Sequence, residues 1–134
     1  MIYPANYEQK IGFLEIRGLL KAQCLSTLGR EQVDALAPSG QAAEVNEWLA
    51  QVGEFRRIGQ EADDFPLQYF FDTRPALSRI RIEGTHLEEG ELFDLRRSLE
   101  TICRIVSFLS RSDGDEAWLY PALHWLTTDI RTFP

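Results

Sequence analysis

The sequence predicts an all-α protein of about six helices in an elongated bundle, with an extended piece or short strand over residues 65–71. Two observations carry this prediction. Apolar residues recur at steps of three and four along most of the chain, the spacing that gathers side chains on one face of a helix. Helix starts and stops also punctuate those runs where the periodicity breaks.

Phe13, Ile16, Leu19, Leu20 and Cys24 outline a first helix over 12–23. Ser26 is placed to cap a second, with Leu28, Val33 and Leu36 turned inward and Pro38 beyond its end. Gly29 inside that helix costs about 1 kcal/mol relative to alanine, which a close helix crossing would explain. After Pro38-Ser39-Gly40 a third helix runs to about Glu61, with Val45, Leu49, Val52 and Phe55 on one face. Residues 65–71 are dense in aromatics around Pro66, which suits a piece crossing the core in extended form.

Residues 70–111 are the most informative stretch. Asp72 serves as an N-cap, Pro75 falls in the first turn where its missing N–H does no harm, and Gly84 stands just past the end. Thr85, three residues before Glu88, has the spacing of a capping box. A long helix from 88 to 111 follows, about 36 Å at 1.5 Å per residue. Its Leu92, Leu95, Leu99, Ile102, Val106 and Leu109 share one stripe. Phe93, Cys103, Ile105 and Phe108 widen the stripe, so burial on more than one side is expected. Trp118, Leu119, Leu123, Leu126 and Ile130 outline a last helix, begun or broken at Pro121.

At 134 residues and 44% hydrophobic, the chain suits one helical domain over 1–134. A net charge of −7 argues against a large phosphate-contacting face, although all but two of the 14 basic residues are arginine. Cys24 and Cys103 fall in helical apolar patterns and read as buried thiols of a reducing compartment. The opening MIYPANYEQK has no basic-then-apolar leader, and no apolar run reaches the ~18 residues of a membrane span. The expectation is a cytoplasmic protein. Trp118, Trp125 and Phe133 crowd the end of the chain, which stops on Thr132-Phe133-Pro134. That suggests a last helix that packs against further sequence.

Each candidate site has a plain structural counterpart. Arg56, Arg57, Arg96 and Arg97 are weak candidates for nucleic-acid or partner contact, or else helix-surface residues paired with Glu54, Glu61, Asp94 or Glu100. Trp118 and Trp125 are candidates for a partner-binding face. Phe13-Leu14-Glu15 matches a Phe-x-Glu base wedge, but the helical pattern already explains Phe13 as core. His86 lies at a helix start, where a positive charge is disfavoured, His124 has no carboxylate or Cys at ligand spacing, and Asp63-Asp64 and Glu88-Glu89, which resemble Mg²⁺-binding acidic pairs, fit a loop and a helix start. No catalytic, cofactor-binding or metal residue is identified, and no phosphate loop, dinucleotide fingerprint, nucleophile elbow or zinc-protease motif occurs.

From Ile11 onward the chain resembles the start of the core region of the MutS family. The matching phrases are IGFLEIRGLLKAQCLSTLGRE (11–31), VNEWLAQVGEFRRI (45–58), FFDTRPALSRIRIEGTHLEEGELFDLRRSLETI (70–102) and YPAL (120–123). Beginning almost at Met1, it is similar to the bacterial paralogues that lack the mismatch-recognition domain and end in a Smr-type nuclease. The resemblance implies a non-catalytic helical scaffold, or lever, joining a DNA clamp to an ATPase, both elsewhere in the protein. ATP and Mg²⁺ would serve that ATPase and not these residues. The implied partners are the rest of its own chain and, as a homodimer, DNA in repair or recombination control. Some members of this branch act at stalled ribosomes, and DNA against RNA stays open. A helix pivoting at Gly84-Thr85 would suit a lever, and a static brace is the alternative. A free-standing interaction module using Trp118 and Trp125, or a small ligand-binding bundle, are the other readings.

Overall fold

A computed structural model of the chain describes residues 5–112, 114 and 117–131, with backbone only for 129–131. Met1–Pro4, the terminal Thr132-Phe133-Pro134 and the Ile130 side chain lie outside the described residues. Within them are seven helices and no strand. Ser112 and Trp118 form an isolated antiparallel bridge. The all-α class holds. One turn more than expected is present, α1, Tyr7–Lys10.

Helix α2, Phe13–Gln23, is entered through Gly12 at φ 72°, a left-handed conformation that favours glycine. Helix α3, Thr27–Asp34, is capped as expected: Ser26 Oγ accepts from the Gly29 N–H at 3.1 Å. Arg17 fastens the three helices together. Its guanidinium donates to the carbonyls of Val33, Asp34 and Leu36 at the end of α3, where helical acceptors run short of N–H partners. It also pairs with Glu8 at 2.7 Å.

No helix crossing explains Gly29. A Cβ there would meet Cys24 Cβ at 3.5 Å and Ser26 Oγ at 3.6 Å, ordinary contacts with its own capping turn. Gly29→Ala is therefore expected to stabilise the protein by about 0.5–1 kcal/mol, read as a higher urea midpoint.

Helix α4, Ala42–Glu61, lies where expected but turns a different face inward. Leu49, Val52 and Phe55 are exposed, and Ile58 is the residue the core buries, at 1% exposure. The core is small: Ile58, Phe108, Leu109, Tyr120 and Leu123. It sits where α4, α6 (Glu89–Leu109) and α7 (Pro121–Arg131) converge. Residues 64–73 cross this junction as irregular chain, not as a strand. Phe65 drives edge-on between Phe55 (5.4 Å) and Phe108 (5.1 Å), and the Gln68 carbonyl accepts from buried Thr101 at 2.9 Å. Those bonds anchor the segment to side chains rather than to another strand.

The helix of 72–83 is shorter than expected: α5 spans Arg74–Arg79. Thr73 occupies the N-cap, while Asp72 Oδ1 accepts from the Arg74 N–H at 3.1 Å. Gly84 adopts φ 82° after a further turn. The capping box also shifts. Thr85 Oγ1 closes the preceding turn onto Arg79 and Ile82 carbonyls, and Glu88 is the cap of α6, with Glu91 returning to its N–H at 2.9 Å. A carboxylate three residues on serves equally well in either register, so spacing alone could not separate them.

Only the C-terminal end of the apolar stripe of α6 reaches the core, at Leu109. Leu92, Leu99 and Ile102 are exposed, while Thr101, Phe108 and Leu109 are buried. The 64–73 segment packs beside the stripe, on Thr101 and Phe108, and α7 meets the stripe's last residue, Leu109. The cysteines are correspondingly not buried: Cys103 is exposed and Cys24 half-buried.

Candidate functional site

The best-built polar arrangement joins α4, α6 and α7. Helix α7 begins with Pro121, and the residue before it, Tyr120, has no side chain able to cap the free N–H groups. Glu54 of α4 supplies the acceptors. Ala122 N–H donates to Oε1 at 3.0 Å and Leu123 N–H to Oε2 at 2.8 Å. The carboxylate also meets the positive end of the helix dipole. One turn further along α4, Arg57 donates to the Leu119 carbonyl and lies 4.9 Å from the Tyr120 ring centre. On the α6 side, buried His124 Nδ1 shares a hydrogen bond with the Leu109 carbonyl at 3.1 Å. Its ring stacks on Trp118 at 3.7 Å.

The four candidate arginines separate into two kinds. Arg57 belongs to this clasp and also pairs with Glu61 at 3.6 Å. Arg97 lies over Tyr69 (4.6 Å) and Phe93 (4.2 Å), holding the irregular segment to α6. Arg56 and Arg96 are exposed, and no ion pair is recorded for either among the described residues. Arg56 borders an apolar dimple of Val52, Phe55 and Leu123, and Arg96 borders one with Leu92 and Phe93. Of the tryptophans, Trp118 is engaged by His124, whereas Trp125 projects outward at 61% exposure. Sequence reasoning missed Glu54, Arg17 and His124 as organising residues.

A cleft of about 720 Å³ opens between residues 63–69 and α6. Its charges are mixed: Asp63, Asp64, Glu100, Arg104 and Arg111 line it. Asp64 pairs with Arg111, and that hydrogen bond holds its carboxyl below the usual range. Among the described residues no three His, Cys, Asp or Glu side chains gather closely enough to hold a metal ion, and no helix is long and apolar enough to cross a membrane.

A second ionic cluster ties α5 to α3. Arg74 is bidentate to Glu31 (2.8 and 2.9 Å) and bonds both oxygens of Asp72 (2.8 and 2.7 Å). Hydrogen bonding to Arg74 lowers both carboxyls, Asp72 from 3.8 to about 2. A carboxyl lowered by folding stabilises fully above its ordinary value, and that contribution is lost as pH falls through the folded value. The Asp72 carboxyl carbon followed by NMR is expected to titrate near 2, moving up toward 3.8 in Arg74→Ala.

Comparison with known proteins follows this geometry. Over 121 residues, 90% of the chain, it is 30% identical to endonuclease MutS2 of Symbiobacterium thermophilum. It is 29% identical over 112 residues to that of Alkaliphilus oremlandii, and 31% over 122 residues to that of a Geobacillus species. The likeness is to MutS2 endonucleases. The chain spans 14–15% of the length of these relatives. No family model and no solved structure matches it.

Proposed function

We propose that these residues form a non-catalytic helical scaffold of a MutS2-like protein, the first part of its core or lever. The observation that carries this reading is similarity to MutS2 endonucleases along nine-tenths of an all-helical chain. On this reading ATP, Mg²⁺ and DNA cleavage belong to other parts of the protein. The clamp and ATPase are the scaffold's neighbours, and DNA, bound by a homodimer in repair or recombination control, is the target. Rescue of stalled ribosomes is a second use that the same scaffold would serve.

Helix α6, 21 residues and about 32 Å long, supplies the stiff element, and left-handed Gly84 supplies the joint. A residue with a Cβ is disfavoured at φ 82°. The test replaces the matched segment of the Geobacillus MutS2 by this chain. The chimera is expected to keep ATP-dependent DNA binding, and a Gly84→Val version to keep ATP hydrolysis while losing its coupling to DNA. DNA cleavage or ATP turnover by the purified 134-residue chain would refute the scaffold reading. Coupling untouched by Gly84→Val removes the pivot and leaves a brace.

The exposure of Trp125 favours a second reading, a free-standing interaction module using the Trp118 and Trp125 end. Trp125→Ala abolishing capture of a specific protein partner, in a chain that fails in the chimera, would select it.

A further inference from the structure

The helices fall into two sets. Helices α1, α2 and α3 pack on one another, while α4 and α6 pack on α7. None of the first three has a buried residue, and none contributes to the core around Ile58 and Phe108. Polar bonds hold the first set together instead: Arg17 to Glu8 and to the end of α3, and Lys21 to Asp34 at 2.8 Å. These three helices can therefore move as one body without opening the core.

The chain between the two sets is short and pinned on both sides. The Leu36 carbonyl accepts from Arg17, which ties it to the first set. Ser39 belongs to the second: its Oγ accepts from the Gln41 N–H at 3.1 Å and donates to Glu44 in the first turn of α4. Ala37 and Pro38 are left as the joint.

Across this joint, the hydrogen bonds and ion pairs among the described residues converge on one place. Arg74 follows the segment that Thr101 and Arg97 anchor to α6. It is bidentate to Glu31 of α3 at 2.8 and 2.9 Å, and Thr27 hydrogen-bonds Asp72 beside it. Arg74 and Glu31 are each half-exposed. An exposed pair favours the joined state by no more than about fivefold, and salt weakens it further. Between two bodies that share no core, so weak a contact is releasable.

We infer that Glu31 and Arg74 form an ionic latch holding α1, α2 and α3 against the rest of the chain, and that its release lets those helices swing as a unit about Ala37-Pro38. The inference does not rest on the MutS2 reading.

Double electron–electron resonance reads the distance between the two bodies, with one nitroxide on Cys103 of α6 and one on Gln23→Cys of α2 in a Cys24→Ser background. At about 0.01 M salt a narrow distance is expected to dominate over a broad component. Glu31→Ala leaves the Asp72 bonds to Arg74 in place and is expected to lower the ratio of narrow to broad about fivefold. Raising the salt to about 1 M, where charges are screened beyond ~3 Å, should lower the ratio in the parent but hardly in Glu31→Ala. A narrow distance unmoved by Glu31→Ala, or a broad one in the parent at low salt, overturns the latch. A salt effect as large in Glu31→Ala as in the parent assigns the joining to other charges and overturns it too. Circular dichroism should show the same helix content in both. Should Glu31→Ala lose helix, the salt series on the parent decides: a ratio that salt leaves unchanged overturns the latch.

Discussion

Phe108→Ala is expected to destabilise the protein by about 3–5 kcal/mol, the range for removing a large buried ring from a packed core. The site explains why the upper part of that range applies. Phe108 meets Phe65 edge-on at 5.1 Å and stacks with Tyr120 at 5.7 Å, and Arg111 covers it at 4.2 Å. It is thus the ring shared by α6, the irregular segment and the entry to α7. With four other buried apolar side chains in the core among the described residues, few groups are available to collapse into the vacated space. A total stability of about 5–15 kcal/mol is usual for a domain, so the loss consumes much of it. Urea unfolding followed by circular dichroism gives the measurement. Phe93→Ala on the same helix is the control, because that ring is exposed and its loss is expected to cost less than about 1 kcal/mol. Equal losses at Phe93 and Phe108 would mean that the core does not lie at the α4, α6 and α7 junction.

The contrast between those two phenylalanines shows what the sequence could and could not convey. Periodicity located α2, α3, α4 and α6 to within a few residues, because it depends on local spacing alone. It did not say which apolar side faces the core, because α6 is apolar around much of its circumference. Its stripe from Leu92 through Leu109 is the regular one, yet of it only Leu109 is fully buried, beside Thr101 and Phe108. That choice depends on where 64–73 crosses, and the crossing rests on long-range contacts such as Thr101 to the Gln68 carbonyl. Val52 and Phe55 on α4 repeat the lesson: helical spacing marked them, and they stay exposed while Ile58, one turn on, is buried.

The arginine pairs carried too little information for a different reason. Arg56 and Arg57 are neighbours in sequence but point to different surroundings, one to solvent and the other into the clasp on α7. Adjacent helical residues are about 100° apart around the axis, so a doublet is seldom a patch. The sequence does hold one clue to the clasp. Tyr120-Pro121 opens a helix without any capping side chain of its own, so the free N–H groups of that helix required an acceptor from elsewhere in the chain.

Glu54 is that acceptor, and Glu54→Ala is expected to cost about 2–3 kcal/mol through the loss of two charge-assisted bonds at a half-buried helix start. The carboxylate also offsets the positive end of the α7 dipole, a contribution of about 0.3–1 kcal/mol. Glu54→Gln separates the two effects, since its carbonyl oxygen still accepts from one N–H but carries no charge. It is expected to lose roughly half as much as alanine. The location of the loss matters as much as its size. Hydrogen exchange should quicken at Leu123, His124 and the rest of α7, while α2 and α3 keep their protection, because Arg17 and Ser26 organise those helices independently of Glu54. If Glu54→Ala leaves α7 exchange unchanged, the bonds at 2.8 and 3.0 Å do not hold the helix, and packing by Leu123 and Thr127 alone accounts for its position.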